Sequence, residues 1–268
     1  MASVNTNYGA SIALQNLNKT NSELERTQNR INTGMKVSSA KDSGAIFAIA
    51  TAQRSNASAQ DAVRSSMQRG QSMVDVALAA GDTITSALEE MKGLAVSIAG
   101  STGAALTSYQ AEFTALGTEI NSALAGASFD GVNLLNTASG ATTTVRTGTG
   151  AGDTKVLGTA AALSANTELG YFTAGTTAQY TTANVDLAIT AVTTALSTLG
   201  TQSKSLGRSI SFTNKLQDSI EAGVGNLVDA DLAKESAKLT ALQTKQQLGV
   251  QALSIANSSS QTLLSLFR

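Results

Sequence analysis

The sequence predicts a mainly α-helical chain: a long coiled-coil, antiparallel helical bundle interrupted by a small β-hairpin region. Three observations predict it. Apolar residues or glycines recur alternately four and three apart at Val63, Met67, Gly70, Val74, Ala77, Gly81, Ile84, Leu88, Met91, Ala95 and Ile98. A helix turns every 3.6 residues, so this spacing, held so long, keeps one narrow seam toward a partner helix and predicts a left-handed supercoil. Seams of the same kind recur near both chain ends, whereas residues 128–181 lose the heptads and become rich in glycine and threonine. The composition agrees: 23 Gly, no Pro, Cys, His or Trp and 4% aromatic residues. Small side chains bury little area each, so stability has to come from many contacts along extended interfaces.

Composition also removes whole classes of function. With a formal net charge of −1 and Lys and Arg scattered, the chain carries no electrostatic footprint for nucleic acid or anionic lipid. Without Cys there is no disulfide framework or thiolate metal site, and without His the commonest acid–base group and metal ligand is missing. No nucleophile–base–orienter set can be assembled, so no enzyme and no cofactor are expected. No stretch approaches the ~18–20 apolar residues of a membrane span. The polar opening MASVNTNYGA shows no cleaved signal peptide.

In order, residues 11–35 carry the seam Leu14, Leu17, Asn21, Leu24, Gln28, Ile31, Met35, whose polar members act as register devices. Gly34 interrupts it, and residues 36–44 read as a polar connector in which Ser39 or Asp42 caps the next helix. That helix, residues 45–99, would span roughly 80 Å. Gly100-Ser101-Thr102-Gly103 ends it, and the return helix has its own seam: Leu106, Tyr109, Phe113, Leu116, Ile120, Ala123, Ala127. So short a connection implies an antiparallel pair.

Within residues 128–181, the runs 142–146 and 155–157 flank TGTGAGD and predict a hairpin. The spacing of Gly148, Gly150 and Gly152 lacks the strand, helix and lysine context of a phosphate loop and reads as a turn. Helical spacing resumes at Ile189, Val192, Leu196, Leu199, Ser203, Leu206, Ile210, Thr213, Gln217, Ile220, Val224 and Leu227, the third strand of the bundle. A final segment places Leu232, Leu239, Leu242, Gln246, Leu253, Ala256, Leu263 and Phe267 in heptad phase and ends in an apolar run. Asp229, Asp231 and Glu235 read as acids opposing a helix N-terminal dipole, in preference to a calcium or acid–base cluster. The two ends, with matching weak seams, should lie side by side with the insertion at the far end of the bundle. The expected domains are residues 1–44 with 228–268, and residues 45–227, the latter holding the β region at 128–181.

Six pieces of sequence, in order, resemble one family. They are Val4-Asn5-Thr6-Asn7 with Leu17-Asn18-Lys19-Thr20; GMKVSSAKD at residues 34–42; and FDGVNLL at 129–135. Leu199-Gly200, DADLAKE at 229–235 and LLSLFR at 263–268 complete the set. The chain resembles bacterial flagellin, in a short form of the alpha-proteobacterial type, over nearly all its length except the β region.

The resemblance implies an extracellular filament subunit for swimming motility, exported unfolded through the flagellar type III apparatus. It implies chain termini paired in an inner coiled coil lining the filament channel, with a helical domain outside it. Inner assembly would then fall to Leu14, Leu17, Leu24, Ile31, Leu232, Leu239, Leu242, Leu253, Leu263, Leu264, Leu266 and Phe267. Implied partners are further copies of the chain, the flagellar cap and hook-associated proteins, and an export chaperone at the C-terminal segment. O-linked glycans on Ser or Thr of the β region are implied too. The alternatives are a hook–filament junction protein, which would close into a collar, and a secreted coiled-coil adhesin. Two departures stand out: Gly225-Asn226 replaces a Ser-Arg pair, and the segment holding Leu94 differs from that recognised by a vertebrate innate receptor. Glu90 stands where receptor-stimulating relatives carry Arg, and Gly93 where they carry Glu, although Gln110-Ala111-Glu112 matches. A reversed charge in a recognition patch removes a pair and adds repulsion, so weak receptor stimulation is expected.

Overall fold

A computed structural model describes residues 7–135, 143–159 and 162–265. Within these, the chain forms α1 (Tyr8–Thr33), α2 (Gly44–Gly100), α3 (Gly103–Gly126), the hairpin β1 (Ser128–Phe129) and β2 (Val132–Asn133), and a second hairpin, β3 (Thr143–Arg146) and β4 (Thr154–Leu157). A short helix α4 (Thr167–Thr173) precedes α5 (Thr182–Val228) and α6 (Leu232–Ser265). The chain divides into two compact units, Asn56–Asp218 and the pair Met1–Ser55 with Ser219–Arg268. Helices α2 and α5 contribute residues to both.

In the unit Asn56–Asp218 the seams meet in one core. Met67, Val74, Ile84, Leu88 and Met91 of α2 are fully buried with Phe113 and Ile120 of α3 and Val185, Val192, Leu199 and Leu206 of α5. Helix α5 runs antiparallel to α2: Arg64 donates to Gln217 at 3.2 Å, and Lys92 pairs with Asp186 at 2.6 Å. Between α2 and α3 only Ser101 and Thr102 intervene, and the reversal passes through Gly103 at φ 65°.

The insertion departs from the expected arrangement. Hairpin β3–β4 lies along the flank of α2 and α5, not beyond the turn at Ser101. A Cβ on Gly70 would stand 2.6 Å from Val145 Cγ1, so the seam glycine makes the recess that seats the hairpin. Ser66 Oγ accepts from the Arg146 amide at 3.0 Å, and the Gln202 amide makes two bonds to Gly158, donating to its carbonyl at 2.8 Å and accepting from its N–H at 3.0 Å. Lys155 donates to Ser205. The first hairpin turns on Asp130 and Gly131, both at positive φ, the two-residue geometry that matches strand twist. Among the described residues the insertion also holds a 3-10 turn at Leu163–Ala165, α4 capped by Asn166, and a second 3-10 turn at Thr177–Gln179. This strap packs on α3 through Phe113, Phe172 and Tyr180. Phe113 stacks on Tyr180 at 4.0 Å and meets Phe172 edge-on at 5.3 Å.

In the other unit, α1 and α6 pair antiparallel. Asn7 donates to the Ala256 carbonyl at 2.8 Å, Gln246 to Asn21 Oδ1 at 2.8 Å, and Arg30 to Glu235 at 3.1 Å. Gly34, at φ 71°, ends α1, and the two connectors are stitched by Lys36 N–H to Val228 O at 2.7 Å and Ala230 N–H to Gly34 O at 2.9 Å. Asp42 does not cap α2. Its carboxylate turns back to accept from the amides and hydroxyls of Ser38 and Ser39, at 3.1 to 3.2 Å.

Candidate assembly interface

The α1/α6 contact is built on a 3–4 repeat of mixed character. On α1 the inward positions are Leu17, Thr20, Leu24, Thr27 and Ile31; on α6 they are Glu235, Leu239, Leu242, Gln246, Gly249, Leu253 and Ala256. Leu17, Leu24 and Ile31 belong to the seam read from the sequence, but the positions between them are Thr20 and Thr27, both buried, and Gln28 is exposed. The Gln246–Asn21 bond pairs two polar seam residues across the helices. Half-buried at the helix contact, such a pair specifies register, because a slip leaves both groups unsatisfied.

Glu235 is 9% exposed and holds Arg30, which ties the start of α6 to the end of α1. Asp231 caps α6, accepting from the Lys234 amide at 3.1 Å, with Glu235 in the first turn. Gly249 lets Leu17 approach: a Cβ there would lie 3.3 Å from Leu17 Cδ1. Threonine, glutamate and glycine carry no hydrophobic signal, so the sequence seam missed Thr20, Thr27, Glu235 and Gly249. The signal available was their place in the 3–4 register.

Leu14 and Leu232, placed with the inner seam from the sequence, are half exposed and stand outside the α1/α6 contact. Ile12 of α1 and Leu248, Val250 and Ile255 of α6 are likewise exposed, the last 69% exposed. Leu263 and Leu264 lie in α6 with side chains outside the described residues, as are Leu266 and Phe267 altogether.

Among the bundle seam residues, Val63 is also buried, and Ile98, Leu116, Ile189, Leu196 and Ile210 pack against the main core. Tyr109 is partly exposed. Ile220 is a correction: it packs in a separate cluster with Val37, Ala50, Val224 and Val228, in the unit formed by the chain ends. In the receptor-like segment Glu90, Gly93 and Glu112 are exposed and Leu94 packs on the core. Asn226, in the departing Gly225-Asn226 pair, offers its carbonyl to Lys36 at 3.3 Å.

Among the described residues no group of three His, Cys, Asp or Glu side chains could hold a metal, and no helix is long and apolar enough to cross a membrane. A cavity of about 570 Å³ lies between the strap and α5, lined by Leu163, Leu187 and the threonines Thr190, Thr194 and Thr198, with Glu168 its one ionisable residue. Each of these three threonines donates its hydroxyl to the carbonyl four residues earlier in α5. What the molecule offers is surface: two helical ends held in register with apolar side chains left outside.

Comparison with known proteins points the same way. Residues 4–140 match the bacterial flagellin N-terminal helical region and residues 182–267 the bacterial flagellin C-terminal helical region. Flagellin FljK of Caulobacter vibrioides is 50% identical over 269 residues, covering 99% of this chain and 98% of that protein. FljN of the same organism is 51% identical with the same coverage, and a flagellin of Brucella melitensis is 42% identical over the full length of both chains. Paired helical ends, a seamed bundle between them, and matches that run through both helical regions to nearly the full length of these relatives place the chain in the bacterial flagellin family.

Proposed function

We propose that this flagellin, a structural subunit of the extracellular flagellar filament, polymerises through the α1/α6 pair, which forms the inner coiled coil of the filament. One observation carries this reading: the pair leaves Ile12, Leu14, Leu232, Leu248, Val250 and Ile255 exposed on its outer surface. Each is worth about 1 kcal/mol or more if a neighbouring copy covers what is now bare. Six such residues, spread round the two helices, offer contacts to more than one neighbouring copy.

Each seam by itself is weak, being interrupted by Asn21, Gln246, Thr20 and Thr27. The ends therefore order fully on joining neighbours, where intersubunit burial offsets the entropy of ordering, and growth is cooperative at the tip. Export of the unfolded chain through the flagellar type III apparatus, chaperone binding at the C-terminal segment, contacts with cap and hook-associated proteins, and O-linked glycans on the insertion complete the proposal, by analogy with the family.

The test is negative-stain electron microscopy of purified, seeded protein beside a chain lacking residues 263–268 and an Ile12→Ser, Leu248→Ser, Ile255→Ser variant. Long filaments from the intact chain and none from the other two are expected. Rings or collars from the intact chain would favour a junction subunit. Filaments of normal length from the triple variant would refute assembly through this surface.

A further inference from the structure

The chain has no cysteine and five methionines, so its sulfur chemistry rests on thioethers. Met67 and Met91 are fully buried and Met73 nearly so, whereas Met35 is partly exposed in the connector after α1. Its sulfur also has a specific neighbour: Arg54 Nη2 lies 3.6 Å from Met35 Sδ. Met35 sits where the connectors at the two ends meet, its backbone bridged to Asp229, and its amide donates to Thr33 Oγ1 at 3.3 Å.

We propose that Met35 is a site of selective oxidation by a peroxide, and that Arg54 receives the product. In the step, a sulfur lone pair attacks one oxygen of hydrogen peroxide. The S–O bond forms as the O–O bond breaks, the sulfur is oxidised by two electrons, and the departing hydroxide takes the remaining proton and leaves as water. The sulfoxide oxygen carries much more negative charge than the thioether sulfur, so the Arg54 N–H group that now meets a weak acceptor gains a strong, charge-assisted one. Oxidation usually disrupts a methionine site by making it polar. Here a guanidinium N–H already meets the sulfur of a partly exposed side chain, and the bridge to Asp229 runs through backbone that the chemistry does not touch. Because Arg54 approaches the sulfur from one side, one sulfoxide epimer is favoured.

The experiment treats washed filaments with dilute hydrogen peroxide, then digests with trypsin and follows oxygen uptake by mass. Cleavage after Arg30 and Lys36 isolates Met35 in the peptide INTGMK, apart from the peptides of Met67, Met73 and Met91. Oxidation of Met35 at least tenfold faster than of those three is expected. Reductases specific for each sulfoxide epimer should find one epimer dominant in protein oxidised as filament and an even mixture in chain oxidised in denaturant. The filament's dissociation temperature should hold or rise on oxidation, and should fall on oxidation of Arg54→Ala filaments. Uptake at Met35 no faster than at Met67 overturns selectivity, and an even epimer mixture from wild-type filaments overturns the role of Arg54, even if the Arg54→Ala chain does not assemble.

Discussion

Gly117 offers a strict test of how the bundle unit is packed. It is buried in α3 beneath the strap, and a Cβ built on it would stand 2.4 Å from the carbonyl oxygen of Phe172 and 2.9 Å from its carbonyl carbon. An ordinary C–H···O contact needs about 3.3 Å, so in Gly117→Ala the strap has to retreat by about 1 Å. The carbonyl cannot turn aside, because it already accepts from the amides of Ala174 and Gly175 at the end of α4. Retreat also opens the stacking of Phe113 on Tyr180 and the edge contact to Phe172. Overpacking costs about 1–3 kcal/mol, and a loosened aromatic pair about 0.5–1.5 kcal/mol. Alanine returns about 1 kcal/mol of helix propensity. The balance is a loss of about 0.5–3.5 kcal/mol, read as a Tm lower by roughly 1–14 °C for a unit of this size. Gly93→Ala is the matched control: it lies exposed in α2 with nothing within 4 Å of its Cβ position. There only propensity acts, and Tm should rise by roughly 2–4 °C. Thermal unfolding followed by circular dichroism, with tyrosine fluorescence reporting Tyr180, separates the two. If Gly117→Ala stabilises the chain as Gly93→Ala does, the strap is not seated on α3 as described.

Gln202→Ala removes both bonds to the buried backbone of Gly158. Undocking of hairpin β3–β4 should become easier by about 1–3 kcal/mol, seen as amide exchange at Gly158 and Thr159 at least roughly tenfold faster, with the core of α2 unaffected. At Asp42 desolvation pushes the carboxyl up, but the four hydrogen bonds from Ser38 and Ser39 together outweigh it and hold the pKa below the ordinary 3.8. Its contribution to the connector is therefore present above the unfolded value and lost as pH falls through the folded one. Amide exchange at Ser38 and Ser39 should stay protected down to about pH 4 and rise below it, while Asp42→Asn should show weaker protection with no such step. In a reporter-cell assay the exposed Glu90 and Gly93 should give weak or no innate-receptor response. A half-maximal response at the potency of a stimulating flagellin would contradict that expectation.

What could be read in advance followed from how burial writes itself into a sequence. The 3–4 spacing from Val63 to Ile98 survives as the core of α2 because its positions pack on other parts of the same unit, helices for most and hairpin β3–β4 at Gly70. Hairpin β3–β4 was legible because strand-forming residues flank a glycine-rich turn, but its place on the bundle was not. That place depends on Gly70 and Gln202, a recess and a two-bond clasp with no pattern of their own. Helix α4, seven residues long, is too short to show periodicity, and its identity rests on the Asn166 cap and on aromatic partners far away in sequence. Along α1 and α6 the reading was half right for a physical reason. Leu17, Leu24, Leu239 and Leu242 are apolar and turn inward, but Thr20, Thr27 and Glu235 are just as inward and are polar, while Leu14 and Leu232 are apolar and half exposed. A helix whose apolar residues serve more than one neighbour cannot be phased from hydrophobicity as if it had one. On the assembly proposed above, the misfit between the apolar stripe and the contact within the chain is itself the signal: the apolar residues left over after the chain has paired its own ends are the ones that would meet other copies.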